Sequence, residues 1–354
     1  MAQSIHFGSR STADQVLAGV DLTRKRMVII GCDFGIGLEA LKSFVANGAH
    51  VIGVAPTLEA ARVACHAAGS PSTPMACDLA DPASIDAAAD SIGKLPGPLD
   101  AILTNPEPAV PAGRHASDLR WIVEYVGHFA LVNRLIDRVR SNGGRIVVAS
   151  NDVTVNAAPI EAVAFDTLDD RRFYESLVFL GQAKSASAIY AKELARRLAP
   201  RGVSVNSFDS GSRGRARRGK QRGWARRFLH SAARWFMKSD AQLAATAALL
   251  AASPLSAGTS GEHWANCRIT RGDPVLADEI LAKRFWETSE QTVAAIRTAH
   301  RMAPPVAKGS AVLDRRPFNA LADEAISKEC LPVSPSRSAA AGHSRERRSE
   351  MHLT

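Results

Sequence analysis

Apolar positions fall into two rhythms along the chain. Met27–Gly31 (MVIIG), His50–Ala55 (HVIGVA), Leu99–Thr104 (LDAILT), Arg145–Ser150 (RIVVAS) and Val203–Phe208 are short, nearly continuous apolar runs. Runs of that length with turn residues at their ends read as buried strands. Between them the period lengthens. Ile36–Asn47 carries Leu38, Leu41, Phe44 and Val45 on one helical face, Thr57–Ala68 is an alanine-rich helix, and further helices are predicted around Trp121–Val139 and over Leu180–Leu198. Strands separated by helices of a dozen or more residues make βαβ units, so the fold class is α/β with one doubly wound parallel sheet. No repeat at a solenoid period is present.

Two stretches depart from this pattern. Residues 210–238 are basic and glycine-punctuated, and beyond about Met302 the chain turns rich in Pro, Ala, Ser and Arg. The expected organisation is a leader at 1–26, one domain at 27–300 holding the basic insert, and a largely disordered basic tail at 301–354. At 46% hydrophobic and 22% charged, the 354 residues can bury a sizeable core. No apolar run is long enough for a transmembrane helix, and the start shows no secretory pattern. Five irregularly spaced cysteines without a C-x-x-C pair argue against disulfides and zinc, so a reducing cytoplasm is expected. The net charge is +9, and 210–238 alone carries ten Lys or Arg and no acid. The remainder is therefore nearly neutral.

Gly31-Cys-Asp-Phe-Gly35-Ile-Gly37 follows the first strand and opens a helix. Such a turn lets a pyrophosphate reach backbone N–H groups at a helix N-terminus. A merely tight βα turn is the alternative. Gly31–Gly37 resembles the TGxxxGIG loop of the short-chain dehydrogenase/reductase family, and Ser11–Arg26 looks like the leader of its retinol-dehydrogenase-like branch. Cys77-Asp78-Leu79, Gly127-His128-Phe129, Gly143–Ser150, Ala183–Leu198, Gly258–Cys267 and Phe285–Ser289 match further family segments in order. The resemblance covers about residues 7–300 and implies a Rossmann-type domain with 210–238 as the substrate lid.

It also implies where chemistry should sit. In the family a tyrosine exchanges a proton with the substrate, a lysine four residues on lowers its pKa, a serine positions the substrate and an asparagine holds a water chain. Lys184 matches the lysine, but Leu180 stands at the tyrosine position. Tyr174 comes six residues early and Tyr190 ten residues late. The serine position falls on Asn151, with Ser150 adjacent, and the asparagine position on Glu124. Lys184, Ser150, Asn151 and Glu124 are thus the candidate catalytic residues. Glu124 and Lys184 are expected near one another, as an ion pair left by a lost site or as a new acid–base pair.

Candidate cofactor residues are Gly31, Gly35, Ile36, Gly37, Asp78, Asn105 and Lys184. Asp78 is either an adenine contact or a turn cap. Asp33 would place a carboxylate near the pyrophosphate, a repulsion of about 3 kcal/mol at about 5–6 Å and an effective dielectric near 20. Phe34 would fill part of the groove, and Thr104-Asn105-Pro106-Glu107 lacks the family's glycine. The second strand ends Ala55-Pro56-Thr57, followed by Glu59 and Arg62, which read as solvated surface; NAD and NADP are both open. His128 reads as structural. No basic neighbour marks Cys32 or Cys77 as an activated thiolate.

In the insert, Trp224, Phe228, Ala232, Trp235 and Phe236 recur at helical spacing, with Arg226, Arg227, Arg234 and Lys238 on the other faces. Three readings fit: a lid over the cleft, an interfacial helix on anionic membrane, or a phosphate-binding arm for nucleic acid or an acidic partner, the last ranked behind the others. Expected partners are a small-molecule ligand or a protein, with an oligomer compatible. The resulting expectation is a dehydrogenase-like protein with its catalytic positions replaced, NAD or NADP bound weakly if at all, acting by binding. The competing expectation is a working NAD(P)-dependent oxidoreductase of alcohols or carbonyls with an unusual proton donor.

Overall fold

The computed structural model describes residues 6–106, 121–150, 176–211, 238–270 and 278–302, with the side chains of 176–185 and 281 excepted. Asn151, Tyr174, Glu107, most of the basic insert and the tail lie outside these residues. The described strands are β1 (Arg26–Ile30), β2 (His50–Ala55), β3 (Ser72–Ala76), β4 (Ala101–Thr104), β5 (Arg145–Ser150), β6 (Ser204–Asp209), β7 (His263–Ala265) and β8 (Arg268–Ile269). They form one sheet in the order β3-β2-β1-β4-β5-β6-β7-β8. All pairings are parallel except the β7–β8 hairpin. The doubly wound α/β expectation is met, and order reverses between β1 and β4, where such sheets leave a crevice.

The helices are α1 (Ala13–Leu17), α2 (Gly35–Ala46), α3 (Leu58–Ala68), α4 (Pro82–Gly93), α5 (Gly127–Leu135), α6 (Ser176–Leu198), α7 (Asp240–Ala252) and α8 (Glu279–Met302). Alternation along β1 divides the core. Met27 and Ile29 face a layer containing α1, α2, α3 and α7, while Val28 and Ile30 face α4, α5, α6 and α8. A parallel sheet buried on both faces needs apolar residues at both parities, which is why its strands read as continuous runs.

Several boundaries differ from the sequence expectation for identifiable reasons. The strand expected from Leu99 starts at Ala101, because Leu99 bridges to Val139 outside the main ladder. The helix expected over Trp121–Val139 is divided into a π-helical turn (Ile122–Val126), α5, and a short 3₁₀ turn at Ile136–Arg138. Thr57 is not helical; its hydroxyl accepts from Ala60 N–H and caps α3. The leader is part of the core: Ala13, Val16 and Leu17 of α1 are buried against α2 and α7. Among the described residues no helix is long and apolar enough to cross a membrane, and no cluster of metal-ligating side chains occurs.

Candidate functional site

The glycine turn is built by sterics. Gly31 leaves β1 with φ +85°, and the N–H groups of Gly31 and Cys32 both donate to the Val54 carbonyl of β2. A Cβ on Gly31 would lie 2.3 Å from the Asn105 carbonyl oxygen, and one on Gly37 would lie 1.9 Å from the Gly31 carbonyl oxygen. Only glycine fits either place. Asn105 locks the turn from behind. Its N–H donates to Ile30 O, and its Nδ2 donates to Gly31 O at 3.0 Å. Asn105 is buried, so its part is to hold the turn.

The open end of α2 faces out of this turn. Thr12, Thr57, Asp81 and Ser239 each accept an N–H at the start of α1, α3, α4 and α7. At the start of α2 stands Phe34, whose side chain accepts none. The first-turn N–H groups, over Gly35, Ile36 and Gly37, are left for an anion or solvent. At the level of backbone, these residues fit the pyrophosphate of a dinucleotide. Asp33 does not. Its Oδ1 is buried with no hydrogen-bond partner among the described residues, and burial holds its carboxyl above the usual carboxylate range.

The neighbouring edge is occupied by structural contacts. Asp78 Oδ1 accepts from Ala80 N–H at 2.9 Å, while Asp78 N–H donates to Ser84 Oγ at 2.9 Å, as a turn cap does. Glu59 and Arg62 on α3 are exposed. Cys32 and Cys77 are buried free thiols. Burial pushes the Cys77 thiol up to about 12 and the Cys32 thiol higher, so neither is an activated thiolate.

On the other side of the crevice, Leu180 and Lys184 lie one turn apart along α6. Glu124 sits in the π-helical turn and is fully buried; such turns recur at functional sites. Ser150 ends β5 and is fully buried, its hydroxyl donating to the Phe208 carbonyl of β6 at 3.1 Å. Ser207 Oγ lies 2.9 Å from His263 Nδ1, with Ser150 Oγ 3.5 Å from the same nitrogen. This polar cluster joins β5, β6 and β7 and was not foreseen, because its serines and histidine are far apart in sequence. His128 is also buried, with its pKa pushed down to about 3, and stays neutral.

Two of the three tyrosines are core residues. The Tyr125 hydroxyl pairs with Ser289 Oγ of α8 at 2.7 Å, and Tyr190 stacks on Trp286 with centroids 5.7 Å apart. Burial raises both phenols far above their ordinary range. Arg197, which bonds the buried Glu193, lies 4.1 Å over Trp286 and fastens α8 to α6.

Residues 25–163 match the family model for short chain dehydrogenase. The human WW domain-containing oxidoreductase is 30% identical over 301 residues, 81% of this chain and 72% of that protein. The chain belongs to the short-chain dehydrogenase/reductase family. Another member with similarity is the short-chain dehydrogenase TIC 32 B, chloroplastic, of Brassica napus, 27% identical over 303 residues, 81% of this chain and 94% of that one. Among solved structures, an uncharacterized protein from Mycobacterium paratuberculosis aligns with a TM-score of 0.61 at 21% identity, over 80% of this chain and 97% of that one. L-sorbose reductase from Gluconobacter frateurii, complexed with NADPH and L-sorbose, aligns with a TM-score of 0.51 at 21% identity, over 70% and 96%. These structural likenesses bear on the fold, which is the NAD(P)-binding fold of the short-chain dehydrogenases.

Proposed function

We propose that this short-chain dehydrogenase-fold protein has lost hydride transfer and acts by binding, with a nicotinamide dinucleotide held weakly at the glycine turn. The observation that carries this reading is the supply of proton donors. Leu180 stands one helical turn before Lys184, where the family's tyrosine is expected, and a leucine side chain has no proton to exchange. Tyr125 and Tyr190 cannot substitute, since both are core residues. The Ser150 hydroxyl is directed to β6. The leader, α1 with its contacts to α2 and α7, supports placement in the retinol-dehydrogenase-like branch.

A bound nicotinamide dinucleotide would supply a hydride donor or acceptor. The residues that would hold it are the backbone of Gly31, Gly35, Ile36 and Gly37, with Asn105 and Asp78 fixing the loops around it. Titration of the purified protein with NADH and NADPH, followed by fluorescence, tests the binding half. Saturable weak binding is expected, and the absence of saturation in both titrations would sink it.

A working oxidoreductase is the second reading, favoured by relatives named as an oxidoreductase and a dehydrogenase. It needs a proton donor, and Tyr174 is the remaining tyrosine. Turnover that Tyr174→Phe abolishes while folding is retained would establish this reading in place of the first.

A further inference from the structure

Asp33 sits between Gly31, which turns the chain out of β1, and Phe34, the uncapped start of α2. A carboxylate there could accept from the free N–H groups of α2, as Asp81 does for α4. It does not, and Oδ1 is instead buried without a partner among the described residues. We infer that Asp33 makes the glycine turn a proton-coupled phosphate site, which takes a dinucleotide pyrophosphate together with one proton that neutralises the Asp33 carboxylate. This rests on the reading that the turn holds a nicotinamide dinucleotide.

Among the described residues, none offers another way to neutralise that charge. The Cys32 thiol beside it is held neutral by burial. On α2, Lys42 is paired with Glu39 at 2.9 Å. On α3, Glu59 and Arg62 are exposed to solvent, and Asp78 after β3 is itself an acid. Burial displaces the Asp33 carboxyl upward against a smaller opposing effect of its own backbone N–H, and no charged neighbour contributes. An incoming pyrophosphate adds negative charge and removes water, and both favour the protonated acid. Proton uptake on binding is the thermodynamic counterpart of an affinity that falls as pH rises.

The test is calorimetric titration with NAD⁺, in chelator, from about pH 5.5 to 8, in buffers of different ionisation enthalpy; its pyrophosphate does not titrate in that range. Wild type should take up close to one proton per NAD⁺ above the Asp33 pKa, and its Kd should rise about tenfold per pH unit there. Asp33→Asn should bind more tightly than wild type at the alkaline end, with no uptake and a flat profile. Asp33→Ser should do the same, and serves if the asparagine variant folds poorly. Wild-type binding with a flat profile and no proton uptake would overturn the proton coupling and leave the dinucleotide reading standing. No NAD⁺ binding by wild type or by either folded variant at any pH would overturn both.

Discussion

The two sides of the crevice encode their chemistry in different materials. On the β1–β3 side the geometry is written in backbone. A Cβ on Gly31, Gly37 or Gly127 would meet a main-chain oxygen at 2.3, 1.9 or 2.3 Å, so these positions are fixed by how β1, α2 and α5 pack. On the β5–β6 side the family's chemistry is written in side chains, and in the proposed reading Leu180, Asn151 and Glu124 stand at the positions of the proton donor, serine and asparagine. The backbone cannot lose its turn without losing the fold. Side chains at the end of a strand or along a helix can change while the fold persists. A retained glycine turn therefore reports packing first and ligand binding second.

The largest effect is expected at Gly37. Gly37→Ala should destabilise by at least about 3 kcal/mol, since the new methyl must displace the Gly31 carbonyl rather than a pliable side chain. Urea unfolding measures it. A loss below about 1 kcal/mol would show that the turn adjusts and that its glycines are kept for a ligand instead.

A smaller effect is expected at His128, the buried side chain next to Gly127 on α5. Its folded pKa is pushed down to about 3 by burial, against 6.5 for the ordinary imidazole. The folded state therefore binds fewer protons between those values. Its contribution is fully present above pH 6.5 and is lost as pH falls, by up to about 1.4 kcal/mol per unit. His128→Phe should flatten the fall of the urea midpoint between neutral pH and pH 5. An unchanged slope would place the acid sensitivity elsewhere.

The smallest effect concerns the basic insert. If Trp224–Lys238 lies on lipid, wild type should sediment weakly with anionic vesicles, less so at higher salt. Arg226→Glu with Arg227→Glu, or Trp235→Ala, should each reduce it. Duplex DNA binding that survives Trp235→Ala would favour the phosphate-binding arm. Indifference of all three proteins to vesicles and DNA at low salt would leave a lid or a protein contact.

Much of the fold was legible because each buried parallel strand must be apolar on both faces. β2 and β5 begin and end where their patterns do. The division at Ile122–Val126 was not legible, since a π-helical turn has no hydrophobic period distinct from an α-helix. In the site, the glycine turn was visible from spacing, and the absence of an activated thiolate followed from the lack of basic neighbours. The roles of Asn105 and Ser150 were hidden, because each is set by a carbonyl distant in sequence, Gly31 and Phe208. Phe34 did carry a signal: an apolar residue stands where α1, α3, α4 and α7 place Thr, Asp or Ser.

In the proposed function the binding turn has outlasted the proton donor. This is tested most directly by following NADH and NADPH oxidation against a panel of aldehydes and ketones, with wild type and Leu180→Tyr side by side. Wild type should show no detectable turnover. Leu180→Tyr should gain turnover that Lys184→Ala removes, because a positioned general acid contributes about 10²–10⁴-fold. Robust wild-type turnover that survives Lys184→Ala would contradict the account and place the active site elsewhere in the molecule.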